Sequence, residues 1–208
     1  MLKPILRCAA VGALTLAAQA ADYSFYVLGL AYTPESCAHG WTKAARACGP
    51  GAPAFVVAGL TAHTDKGEAL GNCPPGRPLP ADAIRGMLTY IPTEPLLQQV
   101  WMKQGACTGL SPANYFGAVR RLRDSVSIPQ RFQSVPRQIA VVPAQVEEEF
   151  NRANPGLPRD GIRTACYSDG GLQEVRFCFD KNFVAKSCGG IATCTRGAVR
   201  LLPTIPKR

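Results

Sequence analysis

Eight cysteines placed behind an apolar leader constrain this chain more than any other feature. Nine are encoded in the 208 residues, and the first, Cys8, falls inside the leader. Met1 to Ala20 opens with Lys3 and Arg7, runs apolar from Ala9 to Ala18 and ends Ala18-Gln19-Ala20. A charged start, about ten apolar residues and a small-x-small end read as a secretory signal peptide, cleaved after Ala20. The apolar stretch is shorter than the roughly 20 residues that span a bilayer. No later run approaches that length, so membrane insertion is not expected. Cys8 lies too early, with too much apolar sequence behind it, to be a lipoprotein acceptor. The remaining cysteines are Cys37, Cys48, Cys73, Cys107, Cys166, Cys178, Cys188 and Cys194. An even number in an exported chain points to disulfides before metal, though eight cysteines allow 105 pairings. The chain has no C-x-x-C spacing, and His39 and His63 are its two histidines. A zinc site, or any cofactor, is therefore not expected.

Removing 20 of 208 residues leaves 188, which is one domain with room for a real core. Without Lys3 and Arg7 the formal charge falls from +9 to +7. The apolar and aromatic residues are spread through the chain, which argues against disorder. Tyr23–Tyr32 and Ala54–Leu60 read as buried strands. Between them Thr33–Pro53 reads as a loop, with a short helix near Thr42–Ala47. Thr61–Pro80, rich in Gly and Pro, reads as a long loop held by Cys73. Helices are expected over Ala81–Tyr90, Pro95–Gln104, Ser111–Val126 and Pro143–Asn154. The third is the clearest, with Ser111 as N-cap, Pro112 in the first turn and Tyr115, Phe116, Val119, Leu122 and Val126 at helical spacing. Strands follow over Gly161–Tyr167, Leu172–Asp180 and near Ala198–Leu202, with Gly170-Gly171 as a hairpin turn. This order predicts a single α+β domain over residues 21–208, with helices packed against a mostly antiparallel sheet.

Two segments resemble the active-site motifs of the ribonuclease T2 family, whose usual forms are FVIHGLWP and HEWxKHGxC. The first is Phe55-Val56-Val57-Ala58-Gly59-Leu60. The second is Trp101-Met102-Lys103-Gln104-Gly105-Ala106-Cys107, continuing through Gly109, Ser111, Pro112 and Tyr115-Phe116. The Pro-led helix after Val142, the Ala153-Asn154-Pro155-Gly156 turn and Glu174-Val175-Arg176-Phe177-Cys178 also resemble bacterial members. The resemblance covers nearly all of the mature chain. It implies an α+β fold and the bridges Cys73–Cys107, Cys166–Cys194 and Cys178–Cys188, which leaves Cys37–Cys48. Each such bridge contributes about 2–4 kcal/mol.

The resemblance also implies endoribonuclease chemistry through a 2′,3′-cyclic phosphate. In that chemistry one histidine takes the 2′-hydroxyl proton and another donates to the leaving 5′-oxygen. A third histidine holds phosphate, with a Glu and a Lys assisting. Here Ala58 stands at the first catalytic histidine, Gln99 at the phosphate-holding one, Val100 at the glutamate and Gln104 at the second catalytic histidine. Lys103 alone keeps its identity. Thr61 and Ala62 replace the Trp-Pro that follows the first motif, so a stacking aromatic is missing as well. Alanine offers no side-chain donor or acceptor, and glutamine has no titratable proton.

These substitutions predict a secreted or periplasmic pseudoenzyme, retained as a monomeric binding or interaction module for RNA, nucleotides, another anion or another protein. The alternative is a weak or altered endoribonuclease. Candidate ligand contacts are Lys103, Gln99, Gln104, Thr61 and His63. Lys103 reads equally as a phosphate contact or a solvated lysine. His39 and His63 read first as exposed loop histidines. The basic stretch Arg120, Arg121, Arg123, Arg131 and Arg137 could attract a polyanion, but reads first as a solvated helix face. Trp41 and Trp101 are expected to be structural, and Glu147–Glu149 to be a solvated helix start.

Overall fold

The computed structural model describes residues 23–42, 44–71, 73–74 and 76–207. The leader Met1–Ala20 lies outside the described residues. Eight consecutive buried residues, Phe25–Tyr32, form β1. A strand that is apolar on both faces belongs inside a sheet, and β1 takes that place. It lies between β2 (Phe55–His63) and β5 (Leu172–Phe179), and β4 (Ile162–Cys166) pairs with β5, giving the order β2-β1-β5-β4. Every pairing between these strands is antiparallel.

Strand alternation divides the sheet into two faces. Tyr26, Leu28, Leu30 and Tyr32 of β1 and Val175 and Phe177 of β5 face the main core. Against them pack α5 (Pro112–Asp124), through Tyr115 and Val119, and α7 (Pro143–Ala153), through Val146 and Phe150. Phe150 meets Phe55 and Phe177 edge-on, at centroid distances of 5.6 and 5.7 Å. Phe25, Val27 and Cys178 face the other way and form a smaller cluster with Cys188 and Ile191.

Side chains close both edges of the sheet, where unpaired backbone groups would otherwise template another strand. On β2 the Tyr115 hydroxyl accepts from Leu60 N–H and donates to Leu60 C=O, both at 3.1 Å. On β4 the Glu147 carboxylate accepts from Thr164 N–H at 2.8 Å and from the hydroxyls of Thr164 and Thr193. Glu147 is thus a strand cap, not part of a solvated helix start, because α7 lies along the β4 edge. Tyr115→Phe should leave both Leu60 groups buried without a partner, a loss of about 1–3 kcal/mol. Denaturant unfolding of that variant checks this, and unchanged stability would show that water takes over the role.

Several expected boundaries shift. Thr33–Ala38 is a helix, α1, running straight out of β1 with Pro34 in its first turn, and Ala45–Cys48 forms α2. The long loop begins only after His63, because β2 extends by three residues beyond the expected Leu60. The helix expected over Ala81–Tyr90 ends at Arg85 (α3), with Gly86 as C-cap. α4 covers Glu94–Lys103, with the Thr93 side chain accepting from Leu96 N–H at 3.4 Å. Gln130–Gln133 (α6) and Ile139–Val141 (β3) are additional elements, and β3 pairs with β6 (Val199–Leu201) in a second, two-stranded sheet. Disulfides join Cys37 to Cys48, Cys73 to Cys107, Cys166 to Cys194 and Cys178 to Cys188. Among the described residues, no helix is long and apolar enough to cross a membrane.

Candidate functional site

The face of the sheet turned away from the main core floors a cleft of about 320 Å³. Its shape starts at a β-bulge. Gly29 pairs with Gly59 and Leu30 with Val57, so Ala58 is the extra residue on β2. Bulges re-aim side chains, and this one places Ala58 on the cleft wall. Gly59 beside it has φ +150°, and a Cβ there would fall 1.6 Å from Gln104 Oε1. Only glycine lets the Gln104 amide lie on the strand. Gln104 Nε2 donates to Ala58 C=O at 3.4 Å, while its Oε1 is buried with no hydrogen-bond donor among the described residues.

Toward the other end of the cleft, Thr61 and His63 project from the same face of β2. His63 is 6% exposed, not an exposed loop residue, and stacks on Phe25 at 5.5 Å. Its Nδ1 lies 3.0 Å from Gly67 C=O, which can only accept, so Nδ1 carries the proton. Nε2 is then the acceptor for the Thr61 hydroxyl at 2.7 Å. Burial, helped by the Arg176 charge, pushes the imidazole pKa below its usual value. At pH 7 His63 is therefore neutral, with both nitrogens engaged.

β5 supplies the charges of the cleft. Glu174 and Arg176, two residues apart, share its cleft face, and Arg176 Nε donates to Glu174 Oε2 at 3.1 Å. Neither residue stands out in the sequence as part of a site. The signal was present, since both are polar positions alternating with Val175 and Phe177.

The remaining candidates lie elsewhere. Gln99 and Lys103 are exposed on α4 and do not line the cleft. Val100 is 7% exposed within the main core. Trp101 is buried there too, its indole N–H donating to Arg77 C=O at 2.8 Å. His39 is exposed, stacked on Tyr167 at 3.7 Å with its nitrogens toward Glu35 C=O and Asp169. Of the basic stretch, Arg120 and Arg137 are exposed and three arginines have local partners. Arg121 lies over the Phe183 ring, Arg123 donates to Val126 C=O and Arg131 pairs with Glu149. Among the described residues, no three His, Cys, Asp or Glu side chains converge as a metal site.

The buried His63 makes stability depend on pH. Its native pKa lies below the unfolded value of about 6.5, so between the two the unfolded chain binds more protons. The contribution is complete above pH 6.5 and is lost as pH falls through that window, by at most about 1.4 kcal/mol per unit. Unfolding measured at pH 7.5 and 5 should show a smaller acid-induced loss in His63→Gln than in the native chain. Equal losses would remove His63 from the pH dependence.

No protein-family model and no curated relative matches the sequence. Solved structures do. An RNase-related protein from Calystegia sepium superposes with a TM-score of 0.69 at 18% identity, covering 87% of this chain and 98% of that one. Trichomaglin, an S-like ribonuclease, gives 0.67 at 21% identity, covering 89% and 100%. RNase NT in complex with 5′-AMP gives 0.62 at 18% identity, covering 89% and 98%. At such identities the likeness is one of fold, and the chain has the ribonuclease T2 fold.

Proposed function

We propose that this protein is an exported binding module that holds RNA or nucleotides in the cleft of a ribonuclease T2 scaffold and does not cut them. One observation carries the reading. The cleft holds a single imidazole, His63, which is neutral at pH 7 and bonded through both nitrogens. Transfer of the 2′-hydroxyl onto phosphorus needs a proton acceptor on one side and a proton donor on the other. His39, the second histidine of the chain, is bound to Glu35 C=O and Asp169 outside the cleft. Binding needs less than catalysis does. Gln104, Thr61, Glu174 and Arg176 supply donors and acceptors in a concavity of the size that takes small ligands. The 5′-AMP held by RNase NT supports a nucleotide as occupant of this fold.

Fluorescence anisotropy with a labelled single-stranded oligoribonucleotide, followed by a denaturing gel of the same sample, tests the proposal. Saturable binding of a strand that stays intact is the expected result. No binding by RNA or mononucleotides would refute the module as described and turn attention to a protein partner.

A further inference from the structure

We propose that the Glu174–Arg176 end of the cleft is a guanine-binding subsite. This rests on the nucleotide-binding reading above and names the base that the site selects.

The geometry sets two requirements. Glu174 and Arg176 are joined through one hydrogen bond, Arg176 Nε to Glu174 Oε2. Among the described residues, neither Glu174 Oε1 nor the two Nη groups of Arg176 has a hydrogen-bond partner in the protein. The carboxylate lies low over β1. Its Oε2 is 3.1 Å from the place a Cβ on Gly29 would occupy, and the Ala58 methyl is 3.4 Å from that same point. An acceptor pair and a donor fork therefore stand side by side next to the space that the short Ala58 side chain leaves open. Gln104 adds a buried, unpartnered acceptor at Oε1. Val27 and Ile191, packed together in the smaller cluster, add an apolar part to the lining of the same cleft.

The charges of this pair sum to zero, and a phosphate would meet the carboxylate along with the guanidinium. The base of a nucleotide suits the site better than its phosphate. Among the four bases, guanine offers two adjacent donors, N1–H and the N2 amino group, for a carboxylate. It also offers two acceptors, O6 and N7, for an arginine fork. Adenine and cytosine present a single exocyclic amino donor, and uracil presents one N–H between two carbonyls. Reading an unstacked base by its edges is the usual mode of single-stranded RNA recognition.

Calorimetric titration of the full mature chain with GMP, AMP, CMP and UMP at one salt concentration tests this. A parallel arm uses two short oligoribonucleotides differing by one G→A change, which separates a free nucleotide from an RNA strand as the source of the base. The expected result is a preference for guanine by roughly 5- to 150-fold in either arm, the range for one good bidentate base contact. IMP, which lacks the N2 amino group, should bind more weakly than GMP. Glu174→Gln should bring GMP to the level of AMP with the melting curve retained. If Glu174→Gln does not fold, Arg176→Lys, which keeps the charge and removes the fork, makes the same test. Equal affinity for all four nucleotides would overturn the guanine subsite and leave nucleotide binding standing. A guanine preference that survives both substitutions would overturn it too, by placing the site elsewhere. Absence of binding by every nucleotide and both oligonucleotides would overturn the parent reading.

Discussion

Single-stranded RNA incubated with purified residues 21–208 is expected to stay uncut while the same RNA is degraded by an enzyme carrying both histidines. General base and general acid catalysis are each worth about 10²–10⁴-fold. A chain lacking both should be slower by about 10⁴–10⁸-fold, or about 5–11 kcal/mol of barrier. His63 cannot make up the difference. As a base it is neutral and available only if Thr61 yields Nε2. As an acid it would need a proton that burial and Arg176 disfavour.

Positions at which two histidines could be introduced are visible in the cleft. Ala58 lies on the bulge, and the Gln104 side chain already reaches over Gly59 to the Ala58 carbonyl. Ala58→His/Gln104→His would put two imidazoles at these adjoining positions, with Glu174 beside the first. That variant should gain at least about 10²-fold in cleavage of a fluorescent RNA, one catalytic contribution of ordinary size. Extending it with Gln99→His and Val100→Glu would reproduce the residue set of the motifs that the two segments resemble. However, Val100 is 7% exposed in the core, and a carboxylate there costs stability unless it finds a partner. The double variant is thus the cleaner test. Robust turnover by the native chain that disappears in His63→Ala would sink the non-catalytic reading.

The elements most legible in the sequence were those whose local chemistry and tertiary role agree. Ser111 and Pro112 mark the start of α5, and the Ser111 side chain does accept from Asn114 N–H. The alternating and continuous apolar runs of β1, β2 and β5 likewise specify strands. Other features depend on partners far away in the chain. Glu147 looks like one of three solvated acids until α7 is laid along β4. His63 looks like a loop residue until the bridge to Ala69 and the bond to Gly67 carry β2 past Leu60. The site shows the same division. The absence of histidine at 58 and 104 can be read from two short segments. The Glu174–Arg176 pair becomes part of the cleft only when β5 is placed beside β1. Register then sets Arg176 opposite Gly29, which in turn pairs with Gly59.

Arg200→Ala is expected to destabilise the protein by about 3 kcal/mol, well beyond the effect of removing an exposed arginine. Glu35 in α1 is fully buried, at 0% exposure. Its two oxygens accept from Arg200 Nε at 2.9 Å and Nη2 at 2.8 Å, and from Leu202 N–H at 3.2 Å. Gly171 makes room for this contact, since a Cβ there would stand 2.3 Å from Glu35 Oε2. Arg200 also holds Asp169 of the β4–β5 turn at 2.8 Å, so one guanidinium ties α1, β6 and the hairpin together. Removing one partner of a buried pair leaves a charge without compensation, which costs about 3–5 kcal/mol. The Arg200 side chain is 30% exposed, so water offsets part of that, and the lower end applies. For a chain of this size the melting temperature should fall by roughly 6–12 °C. Arg152→Ala, which breaks an i,i+4 pair exposed by 71% and 69%, should change stability by no more than about 0.5 kcal/mol. The same guanidinium, followed by Gly171 N–H, holds Asp169 down to a pKa of about 2. With its native pKa below the unfolded value of about 3.9, Asp169 adds stability above pH 4. That contribution disappears as pH falls from about 4 to about 2, and in Arg200→Ala this part of the acid dependence should flatten. Replacing both partners, as in Glu35→Leu/Arg200→Leu, should be less damaging than Arg200→Ala alone, because no charge is left buried. A double variant as unstable as the single one would locate the loss in packing around α1 and not in the stranded carboxylate.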